Sequence, residues 1–216
     1  MRKRVVIVGN ALPSKNMALK LWELRSRSKR NESYLAKFIN DSDYVFRINL
    51  APTFDKSTGI KTDCLVLLNC GKPVIDWCCS VRFNPLLIST TEQILFSKPK
   101  EGGYCKATAN FPLIFNEDFS KYLISFQNLH EKPISFIKSE LYKELVEEVN
   151  PEGVYSFIPS SGYIALRYVI KSHFFKNWDI YIVGFSWEGW IGHNWEYEQK
   201  YFIDCEKNKI LKILNF

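Results

Sequence analysis

The sequence predicts an α/β protein, a mostly parallel sheet with helices on both faces. Three observations carry that prediction. Val5-Val6-Ile7-Val8 is an unbroken β-branched run closed by Gly9-Asn10. A strand buried on both faces reads this way, whereas a half-exposed one alternates with polar residues. Ile180-Tyr181-Ile182-Val183, after Asp179, repeats the pattern and also ends at a glycine, Gly184. Between such runs lie stretches with helical spacing, of which Leu141, Leu145 and Val149 are the plainest. At 216 residues, 46% hydrophobic and 24% charged, the chain matches one soluble globular domain, 1–216, able to bury a large core.

The remaining elements follow in order. Past the first strand, Ala11-Leu12-Pro13-Ser14 can cap a helix near Lys15–Arg27, with an apolar stripe of Leu19, Leu21, Trp22 and Leu24. Ser26–Ser33 reads as a basic break, and Tyr34–Ile39 as a further turn or two of helix. Asn40-Asp41-Ser42-Asp43 is a turn cluster before a second strand, Tyr44–Asn49, and Asp63–Leu68 is the third. The middle, 70–150, is not assigned as a whole. Short apolar pieces at 85–89 and 111–115 alternate there with turn residues such as Gly102-Gly103. A strand at 134–137 leads into the helix at 139–149, which Asn150-Pro151-Glu152-Gly153 ends. Pro159-Ser160-Ser161-Gly162 precedes a helix at 163–175, and the strand from Asp179 follows. A polar-aromatic helix near 195–204 and a strand near 209–214 close the chain.

Composition narrows the function classes. No apolar run approaches the roughly 18 residues that cross a bilayer. Met1-Arg2-Lys3-Arg4 resembles the start of a signal peptide, but the apolar run after it stops at Val8. Cys64, Cys70, Cys78, Cys79, Cys105 and Cys205 form no C-x-x-C pair or zinc spacing, and are expected to be reduced thiols in a cytoplasmic protein. Residues 1–30 hold nine Lys or Arg and one acid, Glu23, so their +8 exceeds the formal +6 of the whole chain. Such a segment fits nucleic acid, an anionic membrane, an anionic substrate or a solvated helix face.

Open α/β sheets bind ligands outside the carboxyl ends of their strands, which makes the turn at Gly9-Asn10 a candidate mouth. Gly9 permits a tight turn and Asn10 offers an amide donor and acceptor, although an ordinary strand-ending turn needs no ligand. Ser160, Ser161 and Gly162 combine hydroxyls with the free N–H groups of a helix start, which suits an anion; a plain serine cap is the alternative. Of three histidines, His130 lies in a loop and His173 at the end of the helix from 163, where the carbonyl end favours it. His193 lies beyond a strand end, just after Gly189 and Gly192. An imidazole suits a base that removes a hydroxyl proton. Glu196 or Glu198, on the first turns of the next helix, could hold its loop or serve only as acids favoured by the dipole. G-x-G-x-x-G and G-x-x-x-x-G-K-[ST] are both missing, and Asp41-Ser42-Asp43 precedes a strand, so neither a classical dinucleotide site nor a metal–nucleotide clamp is expected.

Taken in order, these pieces resemble the animal-type sialyltransferase family, whose donors are CMP-sugars. The family's long motif resembles Val5–Asn10 continued by Ile39–Thr53 and Gly59–Asp63. Its short motif resembles Pro159-Ser160-Ser161-Gly162 with the strand ending Val183-Gly184-Phe185. Its very short motif, a His and a Glu with four residues between, resembles His193 and Glu198. The matching pieces cover less than half of the chain, and 70–150 matches none of them. The resemblance implies a Rossmann-like sheet in a single-domain variant of the GT-A-like sialyltransferase fold. It puts Asn10 and Asn49 on the nucleotide's phosphate or ribose, and Ser160, Ser161, Gly162 and Gly184 on the cytidine and phosphate. His193 becomes the base that deprotonates the acceptor, and Glu198 positions the His193 segment. No metal and no cofactor beyond the donor are implied. Secretory members carry an anchor helix and a disulfide between long and short motifs. Here Val5 and Val6 stand near the first cysteine's place and no cysteine lies near the short motif, in keeping with a bacterial-type cytoplasmic enzyme. A basic insertion at 14–33 follows the Gly-Asn turn, and Trp187–Gly192 occupies the place of the family's aromatic-histidine motif.

The activity so implied is inverting transfer of an acidic sugar, sialic acid or Kdo, from its CMP donor to a hydroxyl of a glycan or glycolipid acceptor, such as a lipopolysaccharide or capsule precursor. Residues 15–30 would hold an anionic acceptor or touch the inner membrane peripherally. The alternative is a non-catalytic nucleotide- or nucleic-acid-binding module, which the basic start and many aromatics allow. Concentration of the charge in one segment, and a His193–Glu198 pair that is hard to explain without a reaction, argue against that alternative, and nucleic acid is not the expected partner.

Overall fold

The computed structural model describes residues 2–11, 33–55, 57–100 and 117–214. The helix expected near Lys15–Arg27, the basic insertion 14–33 apart from Ser33, Gly102-Gly103 and the apolar piece 111–115 lie outside the described residues.

Seven strands are described: β1 Arg4–Val8, β2 Tyr44–Ile48, β3 Thr62–Leu67, β4 Thr91–Phe96, β5 Ile134–Phe136, β6 Asp179–Val183 and β7 Leu211–Leu214. They form one sheet in the order 5-4-3-2-1-6-7, and every pair is parallel. The predicted α/β class is therefore the observed one. The chain starts inside the sheet at β1, works outward through β5, then returns to the other side of β1 for β6 and β7. Right-handed crossovers that reverse direction carry their helices to opposite faces.

The side chains show this directly, because strand residues alternate between faces. Val5, Ile7, Phe46 and Ile48 pack on the layer made by α5 Ser139–Glu148, α6 Ser161–Lys171 and α7 Trp195–Lys207, through Leu145, Leu166 and Phe202. On the opposite face Val6, Val8 and Val45 meet Ile39 of α1 Tyr34–Asn40. Farther along, Leu65, Leu67, Ile94 and Phe96 meet Val74, Leu87 and Leu123 of α2 Lys72–Cys79, α3 Pro85–Thr90 and α4 Ser120–Phe126. Unbroken apolar strands follow from this double cover.

Three boundaries depart from the sequence reading. β4 starts at Thr91 where α3 ends at Thr90, so no turn residue announces it, and Glu92-Gln93 interrupts its apolar run. The helix expected over 163–175 is two pieces. α6 begins at Ser161 and stops at Lys171, and the extended Ser172 caps a 3-10 turn, His173–Phe175, by accepting from Phe174 N. His173 thus opens the second piece and does not end the first. α7 runs on to Lys207, which shortens the last strand to Leu211–Leu214.

One buried cation shapes the approach to the site. Arg47 of β2 is fully buried and donates to Thr58 Oγ1 at 2.8 Å, Thr58 O at 2.7 Å and Gly59 O at 2.9 Å, as well as to Lys61 O and Thr62 Oγ1 at 3.1 Å. All five acceptors are neutral, and burial lowers the guanidinium pKa to about 10. The arginine holds Thr58, Gly59 and Lys61, on the way from β2 to β3, and Thr62, the first residue of β3, against the sheet. Among the described residues, no helix is long and apolar enough to cross a membrane. Cys64, Cys70, Cys78, Cys79 and Cys205 are free thiols, and Cys105 lies outside the described residues.

Candidate active site

The strand order reverses between β1 and β6, so the loops that leave their carboxyl ends diverge. The two ends are locked together: Gly9 N donates to Val183 O at 2.8 Å and Ala11 N to Gly184 O at 2.9 Å. A side chain at Gly9 would place its Cβ 2.2 Å from Gly184 O, so this approach needs glycine. Gly184 itself has φ +73°, the left-handed region that glycine enters without strain. Above this seam opens a cleft of about 730 Å³.

Seven of the eight residues singled out in the sequence line that cleft: Asn10, Asn49, Ser160, Ser161, Gly162, Gly184 and His193. Asn10 is exposed at the mouth. Asn49 sits at φ +50°, which asparagine tolerates, and its Oδ1 accepts from Leu68 N at 2.9 Å. Asn69 repeats the arrangement one strand on: its Oδ1 accepts from Lys98 N at 3.0 Å and its Nδ2 donates to Asp118 at 2.9 Å. Side-chain amides thus tie the ends of β2, β3 and β4 together and stiffen the cleft floor.

The eighth residue, Glu198, lies behind the wall. It is 1% exposed, and its carboxylate accepts from Ser160 N at 2.8 Å and from Ser160 Oγ at 2.5 Å. Ser160 Oγ in turn accepts from Tyr163 N at 3.1 Å and caps α6. Glu198 therefore grips Ser160, two residues beyond the Ile158 that meets His193, and makes no hydrogen bond to the His193 ring. Burial, outweighing the two Ser160 hydrogen bonds, pushes its pKa up to about 7. Gly162 packs closely behind, since a Cβ there would lie 2.5 Å from Phe185 Cε1.

His193 is fixed from the same wall. Its Nδ1 lies 2.8 Å from Ile158 O, and Ile158 N donates to Gly192 O at 2.9 Å. A carbonyl can only accept, so Nδ1 carries the proton and Nε2 keeps a basic lone pair. Trp190 and Trp195 meet the ring edge-on, with centroids 5.0 and 4.9 Å away. Gly192 lets Trp190 fold that close, because a Cβ there would be 2.2 Å from the Trp190 ring. Burial first, and the Lys98 ammonium as well, hold the imidazole below its usual pKa against the opposing pull of Ile158 O. The ring is thus a neutral base at pH 7.

Lys98 is the site residue that sequence reasoning missed. It stands just past β4, is 7% exposed and lines the cleft. Its sequence signal was its place after Ile94-Leu95-Phe96-Ser97, hidden because β4 has no turn before it. Among the described residues no group of three or more His, Cys, Asp or Glu could hold a metal ion. No family model matches the chain, and comparison with curated proteins finds no match.

Proposed function

We propose that this protein is an inverting glycosyltransferase that moves an acidic sugar, sialic acid or Kdo, from its CMP donor to a hydroxyl of a glycan or glycolipid acceptor. One observation carries the reading. Asn10, Asn49, Ser160, Gly162 and His193 come from four distant stretches of chain, yet meet in one cleft at the sheet's topological switch, with His193 held in its basic tautomer. In this reading the α6 N-terminus, Ser161 and Asn10 hold the nucleotide phosphate. His193 Nε2 takes the proton of the acceptor hydroxyl as that oxygen attacks the anomeric carbon. The bond from anomeric carbon to phosphate oxygen breaks, and CMP leaves with the electron pair. Trp187, Trp190 and Trp195 offer the faces against which sugar rings stack. In this reading the reaction belongs in the cytoplasm, and residues 15–30 hold an anionic acceptor or touch the inner membrane peripherally.

The test is binding and slow hydrolysis of CMP-sialic acid and CMP-Kdo, in EDTA, by wild type and His193→Ala. We expect one donor to bind and to release CMP. His193→Ala should lower transfer by roughly 10²–10⁴-fold while CMP affinity is kept. The acid limb of kcat/KM should lie below 6.5, the usual histidine value. If neither CMP nor its sugars bind, the reading is wrong and a non-catalytic nucleotide- or nucleic-acid-binding module becomes the better one.

A further inference from the structure

The amino end of the sheet, opposite the cleft, carries an apolar surface that the proposed function does not use. Four neighbouring strands begin there, in the order β2, β1, β6 and β7. Trp178 immediately precedes β6, Ile210 immediately precedes β7, Lys3 precedes β1, and Tyr44 opens β2. The turn His173–Phe175 packs against these starts, with the Tyr44 ring 5.1 Å from Phe175 and 6.2 Å from Phe174. Phe175 is buried, whereas Phe174 is 63% exposed, Ile210 is 45% exposed and Trp178 is half-buried. Ile210 stands beside this cluster because its successor, Leu211, pairs with Ile180 of β6.

The surface is held rigidly and ringed with cations. Asp179 N donates to Lys3 O at 2.9 Å and Trp178 N to Phe175 O at 3.1 Å, so backbone bonds tie the turn to the start of β1. Phe174 and Phe175 meet edge-on, 4.8 Å apart at 88°, and Trp178 packs on them at 5.4 and 5.2 Å. Lys3 sets its ammonium over the Trp178 ring, 5.2 Å from the centroid. Arg2, Lys3 and Lys176 are exposed around the rings, as is Lys209 beside Ile210. The acids at this end are engaged: Asp179 faces Arg2 at 3.9 Å, and Asp43 accepts from Arg4 N at 2.8 Å.

We propose that this surface docks on an anionic phospholipid bilayer, with Phe174 and Ile210 entering the interface and Lys3, Lys176 and Lys209 meeting the head groups. Apolar side chains flanked by lysines suit such a boundary, because the rings leave water while the ammonium groups stay among phosphates. Two other partners fit less well. A second copy related by a two-fold axis would set the same cations against one another. A single-stranded nucleic acid needs ring faces on which bases stack, but Lys3 occupies a face of Trp178 and Ile210 has no ring. The length of β1 and β6, roughly 17 Å, separates this end from the cleft, so the proposal does not rest on the glycosyltransferase reading.

The experiment is sedimentation of the full chain with vesicles of phosphatidylcholine alone, or mixed equally with phosphatidylglycerol, at low and high salt. Wild type should bind the mixed vesicles, bind the neutral ones far less, and lose affinity as salt rises. Phe174→Ser should weaken binding by roughly tenfold, as loss of a buried aromatic contact does. Lys176→Gln should weaken it by about fivefold, the effect of one cation at the head groups. Both positions are exposed, so the unfolding midpoint should stay that of wild type. A background in which the six Lys and Arg of 15–30 are replaced by Gln removes that segment's own attraction to lipid, and Phe174→Ser should act there by the same factor. No binding to mixed vesicles, equal binding to neutral ones, or binding that Phe174→Ser leaves unchanged would each overturn the proposal. So would a wild-type dimer that Phe174→Ser dissociates, or single-stranded DNA bound through Phe174, in a protein that ignores vesicles. A protein that ignores CMP but binds vesicles through Phe174 refutes the glycosyltransferase reading and keeps this one.

Discussion

The two helix starts that meet the cleft, α6 and α2, are finished in opposite ways. At α6 the protein completes its own chemistry. Ser160 caps the first turn, Glu198 binds the backbone and hydroxyl of that cap, and the segment just before it, at Ile158, fixes His193. At α2 no side chain caps the helix, and the buried Lys98, on another element, lines the same cleft. The same local structure is thus closed by side chains at one end and left without a side-chain cap at the other. What separates them is that a buried carboxylate stands behind the start of α6, whereas no side chain caps that of α2.

The largest expected effect comes from breaking the α6 end. Glu198→Ala leaves Ser160 N–H and Oγ without their buried acceptor, and should cost about 2–4 kcal/mol in urea unfolding at pH 5–6. Glu198→Gln keeps an acceptor for Ser160 N–H and should cost about 1 kcal/mol or less. Equal losses in the two variants would mean that volume, and not the hydrogen bonds, matters there.

A second effect concerns pH. The folded pKa of Glu198, about 7, lies above the ordinary 4.5, so the folded state holds more protons between those values. The stability it contributes is complete below 4.5 and is lost as pH rises through about 7. The change is on the order of 2–3 kcal/mol, and Glu198→Gln should abolish it. A wild type and variant with parallel stability profiles from pH 4.5 to 8 would show that the carboxylate is not desolvated as described.

The smallest effect is at the α2 end. Lys98→Met removes a buried ammonium together with its hydrogen bonding and keeps its volume, so unfolding stability should fall by about 1 kcal/mol. A loss as large as that of Glu198→Ala would make Lys98 a structural residue and erase the contrast between the two ends.

Much of this cleft was legible beforehand, and particular residues show why. Val5–Gly9 and Asp179–Gly184 were readable as buried strands because double cover removes polar alternation, a local signal. Asn10, Asn49 and the Ser160–Gly162 start sit at strand and helix ends, where local chemistry marks them. β4 was not legible: it follows α3 without a turn and carries Glu92-Gln93, and its pairing with β3 and β5 makes it a strand. Lys98 stayed hidden with it. Glu198 was found as a residue but not as a partner, since its bond to Ser160 spans 38 positions.

The sequence by itself determined the α/β class, most strands, and the kinds of groups at the cleft: amides, a capped helix start, and a histidine beyond a glycine pair. Those features are local, fixed by periodicity, turn chemistry and side-chain type over a few residues. Only the tertiary structure decided that β1 and β6 are neighbours, that His193 leans on Ile158 O, that Glu198 serves Ser160, and that Lys98 shares their cleft. Each of these depends on which distant strand ends adjoin, and strand order is set by burial of both sheet faces over the whole chain.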